Sequence, residues 1–481
     1  MIHRRVWRQD RDRPEIRAEI LEKRLVACKM LRTRQFGKGL MSVHYLKISL
    51  LFTIAVWCCQ TLRASPAPFL PEERVTTDNR NYEMTRNPNH AMAVGPDGTV
   101  HLVFWDGYLE TSPLHPSAVW YCRRDPSGQW LRPEMVDDSF TSPRTRLGGR
   151  HPSLLLRPNG EVRVFWHDYR NCSAAHNWID NIELYMDVRP PSGFFSPNDI
   201  RLTNTSASHD GDNGYVPQVV AASSGEIFLA WYDYHLNRNL ADIYLMRSDV
   251  QGHFNLATTV DTWRLTNFSQ RANGISYTLP DIAVDPANTV HLVWTKDIRG
   301  GYGVYYARLS VSAPLTTPTL LSATGADFFD PPHIASARNG DIFVVWTEHG
   351  IPAGDTNIVA ARLRRGANSF DPCFTITQNP ANQLHCDLAV DSRGKLAVVW
   401  VDERNDRDEI FYGLFDPALK TLLFETKISG ETAEAFRPSI EIDQNDQPYI
   451  AWMDYRTEQG TIYFRTAARP ATVRPTWNLY R

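Results

Sequence analysis

The sequence has few cysteines, little net charge and no long apolar run. Seven cysteines occur in 481 residues, and none is arranged in the C-x-x-C spacing typical of zinc sites. The formal net charge is −3, which gives no basic footprint for nucleic acid. The longest apolar stretch, from Ile48 to Trp57, is short for a membrane span. A disulfide framework, a zinc site and a nucleic-acid partner are therefore not indicated.

The first 64 residues differ in composition from the rest of the chain. Residues 1–40 are rich in arginine and show no periodicity, whereas residues 41–64 combine an apolar core with a small residue, Ala64, at their end. That layout is typical of a secretory signal peptide. We predict an upstream extension at 1–40, a signal peptide at 41–64, a start at either Met1 or Met41, and a secreted, periplasmic or extracellular protein without stable membrane insertion. A short membrane anchor is the alternative.

A pattern of four short strands repeats seven times in the remaining chain. Each copy has an apolar strand, a turn that often contains glycine, a strand ending in tryptophan, and two further strands, the last of the type "IRLTNTS". Four strands per repeat, at a spacing of 52 to 65 residues, are typical of a β-propeller blade. A buried indole would fill the wedge between blades. The tryptophans are Trp105, Trp166, Trp231, Trp294, Trp346, Trp400 and Trp452.

We predict an all-β fold, a seven-bladed β-propeller of four-stranded blades at residues 65–468, with a C-terminal tail at 469–481. The segment "ERVTTDNRN" around Val75 resembles a fourth strand but precedes the first blade. It would complete the last blade after "TIYFRTA" and close the ring. Closure removes an open sheet edge that would otherwise invite aggregation.

The repeated motifs "P-x-I-x-x-D", "V-x-W-x-D-x-R" and "I-Y-x-x-R" resemble those of the sialidase-like propeller superfamily, whose blades carry BNR (Asp-box) repeats. The resemblance implies a glycan-directed propeller. The Asp-box turns "DPSGQW" and "DVQGHF" each have one extra residue between Asp and Gly. The R-I-P segment that carries the first catalytic arginine of sialidases is replaced by "NPNHAMAV", which argues against sialic-acid hydrolysis.

Residues that break the repeat are the first site candidates. The position before the first-strand proline, or its equivalent, is apolar in blades 3, 4 and 5. In blades 6, 7, 1 and 2, which adjoin in a closed ring, it is polar: His385, Arg437, His90 and His151. Imidazoles suit proton transfer near neutral pH, and an arginine would neutralise a sugar carboxylate. The imidazoles could instead hold a metal or cap strand ends; we predict no metal and no cofactor.

A second group of candidates follows the repeat tryptophans or lies in loops around this arc. Arg170, Arg404 and Arg456 each lie two residues after an aspartate, an ion pair that is most simply explained as a structural clamp and that could alternatively bind an acidic sugar. Taking both groups together, the predicted catalytic residues are His90, His151, His385 and Asp168. The predicted substrate-binding residues are Arg437, Arg150, Arg170, Arg404, Arg456, Tyr169 and Tyr215.

Three functions remain open at this stage. The first is recognition of a glycan, most simply an acidic one, at the central face of the ring. The second is a polysaccharide lyase or a glycoside hydrolase at the same face, with a histidine or tyrosine as base or with paired acids such as Asp168 and Asp210. The third is a scaffold for protein interactions, since propellers carry many unrelated functions. The predicted partner is a carbohydrate, and the chain is expected to be a monomer.

Overall fold

The computed structural model describes residues 68–85, 88–107, 117–137, 148–172, 181–204, 216–233, 241–254, 262–265, 279–298, 301–310, 315–326, 330–349 and 355–468. Within these ranges, no helix is long and apolar enough to cross a membrane. The predicted extension, signal peptide and C-terminal tail lie outside the described residues. The four cysteines in the described part are free thiols.

The described residues form seven antiparallel blades, as the sequence predicts, and the all-β propeller is confirmed. Two short strands precede the first full blade, β1 (Glu73–Arg74) and β2 (Tyr82–Glu83), followed by a 3₁₀ turn at Pro88–His90. The strands of blades 1 to 3 are β3 (Met92–Val94), β4 (Val100–Asp106), β5 (Val119–Arg124), β6 (Glu134–Met135), β7 (Gly149–Leu156), β8 (Val162–Asp168), β9 (Glu183–Arg189), β10 (Ile200–Arg201), β11 (Gln218–Ala221), β12 (Ile227–Asp233), β13 (Asp242–Arg247) and β14 (Thr262–Arg264).

Blades 4 to 7 continue the same order of strands, and β2 adds a fifth strand to blade 1. Blades 4 and 5 form one continuous sheet through a single pairing of Ala326 with Glu348. Their strands and those of the last two blades are β15 (Asp281–Val284), β16 (Val290–Ile298), β17 (Gly301–Leu309), β18 (Thr319–Ala326), β19 (His333–Ser336), β20 (Ile342–His349), β21 (Thr356–Leu363), β22 (Phe374–Thr375), β23 (Gln383–Val390), β24 (Leu396–Asp402), β25 (Glu409–Asp416), β26 (Thr421–Lys427), β27 (Ala435–Ile442), β28 (Pro448–Asp454) and β29 (Thr461–Thr466).

The first strand of each blade lies at the centre of the ring. These inner strands contact one another in the order β3, β7, β11, β15, β19, β23 and β27, and β27 contacts β3 again. Blades 6, 7, 1 and 2 are therefore contiguous. All seven inner strands run in the same sense, so their starting ends share one face of the ring, hereafter the entry face.

The ring is closed by the N-terminal strand, as predicted from "ERVTTDNRN". Strand β1 pairs with β29 through Glu73 opposite Phe464 and Arg74 opposite Tyr463. The Glu73 carboxylate also accepts hydrogen bonds from Arg124 of blade 1, at 2.7 and 2.8 Å. One residue therefore joins the last blade to the first.

The repeat tryptophan is part of an ordered group that we call the blade clamp. In blade 7 the Trp452 indole donates to Asp454 at 3.4 Å and stacks on Tyr463, with ring centroids 6.0 Å apart. Arg456 lies over the same Tyr463 ring at 4.3 Å and contacts both Asp454 and Glu72 at 2.5 Å. The clamp thus joins strands two and three of a blade to the fourth-strand segment.

Blade 1 departs from the predicted alignment by one residue. The fifth residue of its second strand is Phe104, opposite Trp120, whereas the fifth residue of β28 is Trp452. Trp105 is therefore not the repeat tryptophan, and it faces the opposite side of the sheet because side chains alternate along a strand. Trp120 supplies the missing indole from the third strand, which the sequence pattern could not reveal.

We expect the substitution Arg456→Met to lower the free energy of unfolding by about 3–5 kcal/mol, because it leaves the buried Asp454 carboxylate and Glu72 without their cation. Denaturant-induced unfolding measures this change. The matched control is Arg364→Met. Arg364 also forms an ion pair, but its side chain is 64% exposed, so that change is expected to cost less than about 1 kcal/mol. A loss below about 1 kcal/mol for Arg456→Met would contradict a role in closing the ring.

Candidate functional site

Three of the predicted residues occupy a backbone conformation that side chains rarely adopt. His151, His385 and Arg437 have φ values of 49°, 50° and 49°. Each lies in a bulge where the pairing register of the inner strand shifts. Such a conformation costs on the order of 1–3 kcal/mol and is found most often at functional sites. The same strain recurs in blades 2, 7 and 6, and bulges of this kind re-aim side chains.

The inner strands on the other side of the ring lack this feature. Strands β11, β15 and β19 have four residues each, whereas β7, β23 and β27 have eight. No non-glycine residue in β11, β15 or β19 has a positive φ. The entry face is therefore asymmetric, with the irregular strand starts on the arc of blades 6, 7, 1 and 2 that the sequence singles out.

The described part of the arc contains a compact group of aromatic and basic side chains, which we call the blade-2 cluster. His151 lies 5.2 Å from both the Trp105 ring and the His167 ring, and His167 lies 5.5 Å from Tyr169, as centroid distances. The guanidinium of Arg150 lies 5.0 Å from the Trp105 ring and 5.2 Å from the Tyr169 ring. Two imidazoles, a phenol and a guanidinium thus meet at the start of β7 and the end of β8.

Arg150 differs from the other predicted arginines in its partners. Its Nε donates to Ser117 Oγ at 3.2 Å, and among the described residues no carboxylate lies within ion-pair distance of it. The side chain is partly exposed. The two flanking aromatic rings hold the guanidinium by cation–π contacts, which leaves its hydrogen-bond donors available for a ligand.

The remaining arginine of the arc is neutralised inside the protein. Arg437 donates to the Met84 carbonyl oxygen at 2.9 Å and to the Glu83 carboxylate at 3.3 Å. Arg437 therefore ties blade 7 to the segment that leads into blade 1. A ligand carboxylate would have to displace Glu83 to reach it.

His385 is held by an acid of the neighbouring blade. Its backbone N–H donates to Asp330 Oδ2 at 2.8 Å, and its Nδ1 contacts the other oxygen of the same carboxylate. Burial raises the pKa of Asp330, but the charge and hydrogen bonds of His385 outweigh it and hold that pKa below its usual value. The pair stabilises the strained strand start in blade 6.

His90 lies in a different place from the one the sequence predicts. The backbone N–H of Val103 donates to the Ala91 carbonyl oxygen at 2.8 Å, which makes Ala91 the equivalent of Ser439 in blade 7. The register is again displaced by one residue, and Asn89 takes the position predicted for His90. The cause is the 3₁₀ turn Pro88–His90, which replaces the bulge of the other three blades.

This 3₁₀ turn reaches across the ring and contacts the opposite blades. Asn89 donates to Asp281 at 2.6 Å and to the Ile334 carbonyl oxygen at 3.3 Å, and His90 Nε2 lies 3.0 Å from the other oxygen of Asp281. On the near side, Ser439 donates to the Pro88 carbonyl oxygen at 2.8 Å. The turn Pro88–His90 therefore fills the centre of the ring, and we call it the plug. His90 holds it in place through its contact with Asp281.

Asp281 is the central acceptor of the plug. Burial acts to raise its pKa, but the adjacent His333 and His90 outweigh burial and hold the pKa of Asp281 well below its usual value. The equivalent acid in blade 6, Asp387, has its pKa raised well above the usual value by burial, against two backbone hydrogen bonds. Both acids lie near the same ring nitrogen of the buried His333, with Asp281 Oδ2 at 3.6 Å and Asp387 Oδ1 at 3.8 Å from its Nδ1.

The predicted residues Asp168, Arg170, Arg404 and Arg456 all lie in blade clamps. Asp168 is fully buried, accepts from the Trp166 indole at 2.9 Å and pairs with Arg170 at 2.7 Å. Arg404 pairs with Asp402 at 2.6 Å and lies over Phe411 at 4.1 Å. Their charges are therefore compensated within the protein, in the same geometry in three blades.

Of the predicted site residues, the structure brings together Arg150, His151 and Tyr169. It adds His167, which lies in β8 and was not among the predicted site residues, and Trp105, which the repeat alignment assigned to packing. Tyr215 and Asp210 lie outside the described residues. Within the described part of the chain, no group of three or more histidine, cysteine or acidic side chains is arranged to hold a metal ion.

No protein-family model and no curated protein matches the chain. Among solved structures, the polysaccharide lyase Uly1 is similar over 83% of this chain and 99% of its own, with 10% identity and a TM-score of 0.53. The NanB sialidase of Streptococcus pneumoniae matches 85% of this chain and 72% of its own, with 12% identity and a TM-score of 0.44. A Trypanosoma rangeli sialidase matches 71% of this chain and 56% of its own, with 11% identity and a TM-score of 0.42. At these identities the likeness shows the fold alone.

We expect glycine to be more stable than alanine at position 385, by about 1 kcal/mol, because only glycine adopts a positive φ without strain. The free energies of unfolding of His385→Gly and His385→Ala measure the difference. The control position is the exposed His253, whose φ is not positive. At position 253 we expect the alanine variant to be more stable than the glycine variant by about 0.5 kcal/mol. A glycine variant that is the less stable one at position 385 too would contradict the strained backbone proposed there.

We expect Asp281→Asn to lower the free energy of unfolding by about 3 kcal/mol at pH 7, because the plug loses its charged acceptor. The pKa of Asp281 is lowered in the folded state, so its contribution is complete above the unfolded pKa of about 4 and is lost as the pH falls. The difference between wild type and variant should therefore shrink at pH 3. The half-exposed Asp249 supplies the control Asp249→Asn; a difference that does not depend on pH would contradict this role of the charge.

Proposed function

We propose that the protein binds an acidic polysaccharide at the entry face, with Arg150 as the residue that recognises the sugar carboxylate. The observation that carries this proposal is the contrast among the five predicted arginines. Arg170, Arg404, Arg437 and Arg456 each pair with a carboxylate of the protein, whereas Arg150 is oriented by two aromatic rings and a hydroxyl. A planar guanidinium held in this way binds a carboxylate through two parallel hydrogen bonds.

The neighbours of Arg150 favour a second, catalytic candidate, cleavage of the polysaccharide by β-elimination. The imidazoles of His151 and His167 are of the residue type that most often acts as a general acid or base, and the phenol of Tyr169 lies next in the same row. In such a reaction a base removes the proton on the carbon next to the carboxylate, the glycosidic C–O bond breaks, and the leaving oxygen takes a proton from an acid. An unsaturated sugar end results.

Hydrolysis is less well supported by the same geometry. It requires two carboxyl groups across a pocket, and the predicted acid Asp168 is fully buried in a clamp. The described part of the blade-2 cluster contains no carboxylate. The Uly1 fold shows that a ring of this kind can carry a polysaccharide lyase, but fold does not determine function, and the proposal rests on the residues.

We also propose that residues 41–64 direct export and that the ring acts as a monomer outside the cell.

The test is a titration of the full chain with acidic polysaccharides, a sialoside and neutral glycans, recording binding heat and new ultraviolet-absorbing ends. We expect the binding that depends on Arg150 to be limited to a uronate-containing polysaccharide. Arg150→Met should weaken it about 10- to 100-fold, because a hydrogen bond to a charged group contributes about 1.5–3 kcal/mol. Arg150→Lys should restore part of the affinity. The control is Arg393→Met, a side chain 65% exposed in blade 6, which should leave binding unchanged.

The products of the same titration separate the candidates. Unsaturated ends that disappear in His151→Ala and Tyr169→Phe, while binding persists, establish the lyase. Binding without products establishes a lectin-like module, and reducing ends without unsaturation indicate hydrolysis. Wild-type affinity in Arg150→Met would overturn the role proposed for Arg150. No response to any glycan would overturn the proposal as a whole and favour a protein-interaction scaffold.

A further inference from the structure

A cavity lies on the face of the ring opposite the entry face, between blades 4 and 5. Its volume is about 340 Å³, and its walls come from the ends of the third strands and from the turns after the inner strands of both blades. Gly340 and Gly366 at its rim have φ values of 87° and 74°, a conformation that favours glycine. The volume falls within the range of small-ligand pockets and would accommodate a sugar-sized group.

The charges that line this cavity are predominantly positive. Three arginines line it, Arg308, Arg364 and Arg365, together with a single acid, Asp285. The Asp285 Oδ1 accepts the backbone N–H groups of Ala287 and Thr289, both at 2.8 Å. This acid therefore stabilises its own turn.

Two of the three arginines have no acidic partner among the residues that the structure describes. Arg308 donates to the Ala367 carbonyl oxygen at 3.1 Å and to the Asn368 side-chain oxygen at 3.0 Å, so that its guanidinium is positioned by neutral groups. The exposed side chain of Arg365 has no hydrogen bond or ion pair in the described structure. Arg364, by contrast, pairs with Asp371 at 3.0 Å.

The inner end of the cavity provides neutral groups beside these cations. His291 is buried, its Nδ1 lies 2.7 Å from the Tyr306 hydroxyl and its Nε2 lies 3.4 Å from Asp285. Burial lowers the pKa of His291 to about 4, which keeps the ring neutral. Ile342 and Leu363 add apolar surface, and the hydroxyl residues are Thr289, Ser310 and Thr316.

Blade 1 contains the same histidine–tyrosine pair without the free cations. His101 Nδ1 lies 2.7 Å from the Tyr121 hydroxyl, as in blade 4. The arginine over that tyrosine, Arg189, is neutralised by Glu134 at 3.0 Å. The pair is thus a packing feature of the repeat, and what distinguishes blades 4 and 5 is the uncompensated positive charge at a cavity.

We propose that this cavity is a second binding site, for the anionic group of a sugar-sized ligand, a carboxylate or a sulfate ester. Arg308 and Arg365 bind the anion through charge-assisted hydrogen bonds, while Ile342, Leu363 and the hydroxyl groups contact the body of the sugar. The site is on the opposite face from the blade-2 cluster and is independent of the function proposed there. It gives the ring a second attachment point for an acidic glycan.

The test is calorimetric titration of the full chain with glucuronate, a sulfated monosaccharide and inorganic sulfate, with ionic strength held constant by chloride. We expect saturable binding of a charged sugar. The double variant Arg308→Gln/Arg365→Gln should weaken it at least tenfold, and Arg365→Gln alone should weaken it in part without affecting folding, since that side chain has no internal partner. Arg393→Gln, on the same face of blade 6, is the matched control and should bind as the wild type does.

Three results would overturn the proposal. These are the absence of saturable binding, binding that the double variant leaves unchanged, and binding of inorganic sulfate without either sugar, which would indicate an adventitious ion only. Arg150→Met should leave binding at this cavity intact. A failure here therefore remains distinguishable from a failure of the function proposed for the entry face.

Discussion

The rest of the structure depends on the closure of the ring by residues 72–74. β1 supplies the fourth strand of the last blade, Glu72 completes the clamp of Arg456, and Glu73 reaches Arg124 in the first blade. The two ends of the propeller sequence are thereby joined by hydrogen bonds and ion pairs between residues more than 380 positions apart. An open ring would expose two sheet edges and leave the blade-7 clamp without its outer acid.

Closure also explains how the strained residues of the entry face persist. A positive φ at His151, His385 and Arg437 is unfavourable in isolation, and it survives only where neighbouring contacts leave no alternative. Asp330 holds His385, Glu83 and Met84 hold Arg437, and aromatic rings surround His151. Because the plug at Pro88–His90 connects blade 1 to blades 4 and 5, these strand starts are fixed relative to one another.

The arginines illustrate how context decides the role of one residue type. Where a carboxylate lies within reach, as for Arg404 and Arg456, the guanidinium becomes a structural clamp. Where its described neighbours are aromatic rings, a hydroxyl or carbonyl oxygens, as for Arg150 and Arg308, its charge is available to a ligand. Both sites proposed for this ring follow from that distinction, and they lie on opposite faces.

The sequence by itself determined the propeller, the number of blades and the strand that closes the ring, because strand periodicity and turn residues are local and repeat seven times. It also located the arc of blades 6, 7, 1 and 2. Its predictions for Trp105 and His90 were wrong by one residue. In blade 1, Phe104 occupies the position of the repeat tryptophan and Trp120 of the next strand supplies the indole. A 3₁₀ turn at Pro88–His90 replaces the bulge that begins the inner strand in blades 2, 6 and 7. Only the tertiary structure decided that Arg437 pairs with Glu83, that Arg150 lies between Trp105 and Tyr169, and that a cavity lies between blades 4 and 5, because those contacts join residues from different strands or blades.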